Sequence, residues 1–162
     1  MIKTCTFCKK KLKLTEFSTE ENKKGTFTRA VCNKCLTKKR NENFSKTPES
    51  FLKNLFTQLR SSRKDSGIEW DITFEFLIGL WDLQKGKCAL SGLNMTWHKG
   101  SGRTHFNISI DRKNANLGYI PSNVQLVCVC VNLMKQSLND VDFIWWCKTI
   151  TDNKEKFIND EV

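Results

Sequence analysis

The chain has 162 residues, with 27 Lys or Arg against 17 Asp or Glu, two His and eight Cys, a formal charge of +10 and a sequence pI of about 9.3. That length holds one core of about 100 residues and a small appendage, not two full domains, and 39% hydrophobic with 10% aromatic residues excludes global disorder. No apolar run approaches the ~20 residues of a membrane span and no apolar leader precedes Cys5, so the expectation is an intracellular, non-secreted protein without a membrane partner, its cysteines thiols or metal ligands rather than disulfides.

The basic excess is confined to one end. Residues 1–64 carry 17 Lys or Arg against 5 Asp or Glu, a net of +12, whereas residues 65–162 have a net of −2. The cations cluster as Lys9-Lys10-Lys11-x-Lys13, Lys23-Lys24, Lys38-Lys39-Arg40 and Arg60-x-x-Arg63-Lys64. Such a segment holds a polyphosphate by counterion release; a solubilising lysine-rich surface has the same composition.

In chain order, Cys5-Thr-Phe-Cys8 and Cys32-Asn-Lys-Cys35 come first. Each C-x-x-C knuckle presents two thiolates on one side, and two knuckles complete a tetrahedron, so Cys5, Cys8, Cys32 and Cys35 are expected to bind structural zinc. Between them Leu12, Leu14, Phe17, Phe27 and Val31 are the only sizeable apolar residues, too few for a core without the metal. Residues 1–46 read as a basic zinc-binding module ending in a polar stretch, 41–46.

Thr47-Pro-Glu-Ser50 then starts a helix, with Phe51, Leu52, Leu55, Phe56 and Leu59 at helical spacing and Arg60, Arg63 and Lys64 at its end. Residues 47–69 form a basic linking helix whose apolar stripe packs and whose end is free for phosphate. Residues 68–71 read as a short extended piece, and Thr73 opens another helix that stops at Gly86. A polar loop, 94–107, contains His98 and His105. A hairpin follows: Phe106, Ile108 and Ile110 alternate up to Asp111, and Val124 begins an apolar run to Val131. Asn132-Leu-Met-Lys135 reads as a helix ending near Ser137, and a last helix spans 140–150 before a charged, fraying tail, 151–162. This order places Asp111 and Asn132 together at the mouth of a hairpin capped by a helix. A carboxylate and an amide carbonyl are hard oxygen ligands suited to Mg²⁺ that keeps most of its water and binds a phosphate oxygen.

Ile108-Ser-Ile-Asp-Arg112, Gly118-Tyr-Ile-Pro-Ser-Asn123 and Val131-Asn-Leu-Met-Lys135, with the lead-in Gln84-Lys-Gly-Lys-Cys-Ala-Leu-Ser-Gly92, resemble the HNH, or ββα-metal, endonucleases, particularly the small ones encoded by phages and large DNA viruses. The resemblance covers residues 70–150, and some relatives carry an N-terminal two-knuckle zinc module. It implies an α+β fold with a ββα-metal nuclease core and flanking helices, and a Mg²⁺- or Mn²⁺-dependent endonuclease acting on DNA, double-stranded by preference. By position, Asp111 looks like the acidic metal ligand, Asn132 like the second ligand on the helix, and Asn123 like the Asn that braces the loop; Gln136 stands where some relatives have a further ligand. The hairpin and helix would dock on the minor groove, while Lys38, Lys39, Arg40, Arg60, Arg63, Lys64 and Lys135 are the candidate DNA contacts. A homodimer, and the cytoplasm or nucleus of a host cell if the chain is virus-encoded, complete the expectation.

One departure matters. The family's general-base His, next to the acidic ligand, is here Arg112, and a guanidinium cannot act as a base at neutral pH. Arg112 suits clamping the scissile phosphate. His98, His105 and Tyr119 are the candidate proton acceptors, although His105 lies six residues, about 20 Å of straight strand, from Asp111. The alternative function is a non-catalytic zinc-containing DNA-binding protein built on a decayed core. A second cysteine group, Cys88, Cys128, Cys130 and Cys147, either binds a second zinc, with Cys128-Val-Cys130 pointing to one face of a strand, or consists of buried thiols.

Overall fold

A computed structural model describes residues 1–23, 25–98 and 104–159, with side chains in the last helix as far as 154. Lys24, residues 99–103 of the expected loop and 160–162 of the expected tail lie outside the described residues. The protein is α+β, in two units, Met1–Lys46 and Thr47–Val162.

In the first unit β1 (Ile2–Thr4) pairs antiparallel with β2 (Lys11–Lys13), and β3 (Thr19–Asn22) with β4 (Gly25–Thr28). The β1–β2 connection is the first knuckle, closed by the Lys9 N–H donating to the Cys5 carbonyl and the Cys5 N–H to that of Lys10, both at 3.0 Å. Helix α1 (Asn33–Phe44) begins directly after Cys32 and takes in the polar stretch 41–46 as far as Phe44. It has no apolar stripe to announce it, and no residue of it is buried. Among the unit's described residues the buried ones are Cys5, Phe17 and Cys32, with Leu12 and Val31 packed on them, while Leu14 and Phe27 stay exposed.

The second unit opens with α2 (Pro48–Arg63), whose Thr47 and Ser50 form a reciprocal capping box ahead of Pro48 at the first turn. Phe51 and Leu52 are buried on its inner face. Helix α3 (Phe74–Leu83) starts at Thr73, whose hydroxyl accepts from the Phe76 N–H at 3.1 Å. After it, Gln84 donates to the Leu126 carbonyl at 2.8 Å and accepts the Leu126 N–H at 3.0 Å, so one side chain satisfies both backbone groups of a residue on the next hairpin. That hairpin is β5 (Ile108–Arg112) against β6 (Val124–Cys128), in a register that sets Asp111 opposite Gln125. All of β6 is buried. Leu52, Leu77, Ile108, Leu126 and Val127 form the fully buried centre of the core, each worth about 1.5–3 kcal/mol of transfer free energy.

Two expectations change here. The apolar run 124–131 is not one strand, because α4 (Val129–Lys135) begins at Val129, with the Val129 and Cys130 N–H groups donating to the Asn107 and His105 carbonyls. The last helix, α5 (Asp140–Asn159), does not stop near Ile150. Its charged extension carries a Lys148–Asp152 pair at i,i+4 and hydroxyl bonds from Thr149 and Thr151 back to the Trp145 and Cys147 carbonyls.

Tyr119 is held by strand-like bonds to 69–71: its N–H donates to the Glu69 carbonyl at 2.8 Å and its carbonyl accepts the Asp71 N–H at 2.9 Å. Its ring packs 4.9 Å from that of Trp70. Gly118 permits this approach, since a Cβ there would lie 2.6 Å from both the Cβ and the carbonyl oxygen of Glu69. Gly118→Ala is therefore expected to cost about 2 kcal/mol through overpacking. A urea titration should show a lowered midpoint at unchanged slope.

Candidate functional site

The Cys5, Cys8, Cys32 and Cys35 sulfurs all lie within 4.8 Å of one another, positioned to hold one metal ion. Cys32 caps α1 and Cys35 sits in its first turn, so the second knuckle is a helix start. The Cys32 N–H donates to the Cys5 sulfur at 3.3 Å. Burial alone would raise the Cys5 thiol, but this bond, the Cys8 and Phe7 N–H groups and the Cys8 side chain outweigh it and bring Cys5 down to about 6. Cys35 is pushed up to about 12, first by its hydrogen bond with Cys32, then by burial and by the other thiols. Four sulfurs at this spacing share negative charge that a divalent cation would neutralise; a soft, four-thiolate tetrahedron fits zinc.

The later cysteines do not assemble in that way. Among the described residues, Cys5, Cys8, Cys32 and Cys35 are the only such cluster of three or more metal-ligating His, Cys, Asp or Glu side chains. The reason is the helix start at Val129: Cys128 closes a strand and Cys130 is on the first turn of α4, so the two do not share one strand face. Cys147 lines a separate apolar groove with Leu90, Val131 and Phe143. Cys88 and Cys128 do interact. Burial opposes ionisation of Cys88, yet the Ser91 hydroxyl and the N–H groups around it draw that thiol down, and burial followed by the charge of Cys88 pushes Cys128 up to about 12.

The second site is a cavity of about 530 Å³ between α2 and the β5–α4 side of the core. Asp111, Arg112 and Ser109 of β5 line it, with Asn132 from the middle of α4 and Gln136 from its C-terminal cap, Tyr119 from the hairpin connection, and Gln58, Ser62 and Arg63 from α2. Asp111 is buried, at 5% exposure. Its carboxylate accepts from Gln125 at 2.9 Å and from the Lys135 ammonium at 3.2 Å. The Asn132 amide nitrogen donates to the Ser109 hydroxyl at 2.7 Å, which leaves the amide oxygen as the group available to a cation. Arg112 donates to the Leu117 carbonyl at 2.8 Å and its guanidinium carbon lies 5.1 Å from the Tyr119 ring centroid. Asn123, buried, donates to the Asn114 and Gly118 carbonyls and accepts the Asn114 N–H, which ties the connection 113–123 together beside the cavity.

His98 and His105 are both exposed and neither lines the cavity. The His105 carbonyl accepts the Cys130 N–H near the start of α4, at the other end of β5 from Asp111. Of the three candidate proton acceptors, Tyr119 alone is at the site. Lys135 requires a correction: it is not an exposed helix lysine facing phosphate but is fully buried, its ammonium bound to Asp111, Asp140 and the Arg112 carbonyl. Lys38, Lys39, Arg40, Arg60, Arg63 and Lys64 are exposed. Lys39 and Arg40 share a groove with Arg29 and Phe44.

Sequence reasoning missed Gln125, Asp140, Gln58 and Ser62. Gln125 was within reach, because a hairpin closing on Asp111 sets one residue opposite it; the α2 residues are brought in by packing alone. Gln136, at φ 52° and ψ −118°, caps α4 in a conformation that L-residues rarely adopt, at the rim of the cavity.

No protein-family model and no curated protein sequence matches the chain. Among solved structures it is similar to the rare-cutting HNH restriction endonuclease PacI, at 17% identity and a TM-score of 0.46, over 93% of this chain and 94% of that one. Among the described residues no helix is long and apolar enough to cross a membrane.

Removal of metal should separate the two units. A chelator is expected to release one zinc per chain, counted by a colorimetric zinc indicator, and to abolish amide protection within residues 1–46 while leaving that of Leu52, Leu77 and Leu126 intact.

Proposed function

We propose that the protein is a divalent-metal-dependent endonuclease of the HNH, ββα-metal type that hydrolyses DNA phosphodiester bonds. The observation that carries this reading is the single cavity onto which a buried carboxylate, an amide with its oxygen free, two guanidinium groups and a tyrosine all open. A lone acid or amide would mean little; together they supply what phosphodiester hydrolysis requires.

The donor set fits a hard cation. Asp111 offers carboxylate oxygens that Lys135 and Gln125 fix without exhausting their lone pairs, and Asn132 offers an amide oxygen oriented through Ser109. Mg²⁺ or Mn²⁺ held by these two residues would stabilise charge on the phosphate and on the leaving 3′ oxygen. Arg112, held by the Leu117 carbonyl, and Arg63, at the basic end of α2, grip the phosphate from two sides of the cavity. Tyr119 orients the attacking water by hydrogen bonding, fixed in place by its backbone bonds to Glu69 and Asp71. Double-stranded DNA is the substrate, and the exposed Lys38, Lys39 and Arg40 of the zinc unit, with Arg60 and Lys64, hold the flanking backbone.

With Mg²⁺ or Mn²⁺, the protein should nick plasmid DNA, and Asp111→Ala and Asn132→Ala should each lower the rate by about 100-fold or more. Tyr119→Phe is expected to lower the maximal rate roughly 10- to 100-fold, whereas His98→Ala and His105→Ala should match wild type. Retention of DNA in EDTA, with no nicking in either metal, would overturn the assignment.

A further inference from the structure

Lys135 is fully buried at the end of α4. A buried lysine is rare because desolvating an ammonium is costly, and it persists where a fixed set of acceptors surrounds it. Here its nitrogen lies 3.2 and 3.1 Å from the two Asp111 oxygens, 3.4 Å from Asp140 and 2.6 Å from the Arg112 carbonyl. Gln125, also buried, completes the arrangement by donating to Asp111 at 2.9 Å and to both Asp140 oxygens at 3.0 Å. The carboxylate that faces the cavity is therefore backed by a cation on the side away from it, and that cation is shared with a second carboxylate that does not line the cavity.

We propose that Lys135 is a positioning residue of the Asp111 site: its buried ammonium fixes the carboxylate and cancels part of its charge, which keeps the affinity of the free protein for a divalent cation low. The inference rests on the reading of Asp111 and Asn132 as metal ligands. A neighbouring positive charge opposes a dication through the same low-dielectric medium in which the carboxylate attracts it. Asp140 tempers the opposition by drawing on the same ammonium. The charge balance behind the ligand is thus set by two residues that would not touch the metal, and DNA phosphate entering between Arg63 and Arg112 supplies negative charge that the protein withholds.

The test is Mn²⁺ binding to the zinc-loaded, DNA-free protein, followed by the electron paramagnetic resonance signal of free Mn²⁺. Lys135→Gln should tighten binding by about tenfold, and Asp140→Asn, which leaves the ammonium to Asp111 alone, should weaken it about three- to tenfold. A purely structural role for Lys135 would loosen the site in both variants or change neither, and either result overturns the proposal. If circular dichroism shows Lys135→Gln to be unfolded, Asp140→Asn decides alone: unchanged or tighter binding refutes the inference. Asp111→Ala provides the separate control. Wild-type Mn²⁺ affinity in that variant would sink the metal-site reading itself, whereas loss of binding there with unaltered affinity in the other two would sink only the role of Lys135.

Discussion

The second unit is organised around one buried polar contact, the Lys135 ammonium against Asp111. Enclosing these charges costs several kcal/mol per ion, and the cost is offset only because acceptors and donors surround both partners in fixed positions. Asp111 comes from β5, Gln125 from β6, Lys135 from the last residue of α4 and Asp140 from the first residue of α5. Slipping the hairpin by one residue would turn Asp111 to the opposite face and leave the buried Lys135 ammonium with Asp140 as its one carboxylate partner. The network therefore ties the hairpin register to the ends of two helices. It also places the α5 start beside the hairpin, where the Asp140 N–H donates to the Lys113 carbonyl at 3.1 Å.

The first unit answers a different constraint. Among the described residues of this unit only Cys5, Phe17 and Cys32 are buried, a core too small for hydrophobic transfer to offset the entropy of ordering 46 residues, and the four sulfurs are positioned to hold a metal that would supply what the core does not. The cysteines are at once the centre of the small core and the side chains positioned to hold that metal. Around them Lys3 donates to the Thr28 carbonyl at 2.8 Å and Asn33 accepts from the Ser18 N–H at 2.9 Å, so polar side chains add to the packing of Leu12 and Val31 in fastening the unit together.

How far this could be read in the sequence varied with the kind of signal. Knuckle spacing is local, and the four sulfurs do converge. Capping chemistry is local as well, and Thr47, Pro48 and Thr73 start helices as their residue types require. Asp111 and Asn132 reach one cavity because a strand, a return strand and a helix leave few ways to close. The failures arise where two structures satisfy the same pattern. Val, Cys and Leu at 124–131 suit a buried strand or a buried helix, and only the Asn107 and His105 carbonyls, waiting at the edge, decide that the helix starts at Val129. Lys135 looked like a solvent residue because lysines generally are; its partner Asp140 arrives through the turn after α4, which no periodicity describes. Helix α1 has too little amphipathicity to be visible at all.

The division of charge changes meaning once the fold is known. The basic stretch ends at Lys64, but the first unit ends at Lys46, so the segment from 47 to 64 belongs to the body of the protein. With it the second unit changes from a net of −2 to a net of +1. That difference is concentrated at the end of α2, where an apolar stripe buries Phe51 and Leu52 and the last turn sets Arg63 at the cavity that holds Asp111. Packing thus does more than anchor the helix: because Leu55 and Leu59 line the same cavity as Arg63, the contacts that bury the stripe fix the distance of a guanidinium from the acid. A freely hinged basic arm would raise local phosphate concentration without orienting it; a packed one delivers its charge at a set depth, as an electrostatically preorganised site requires.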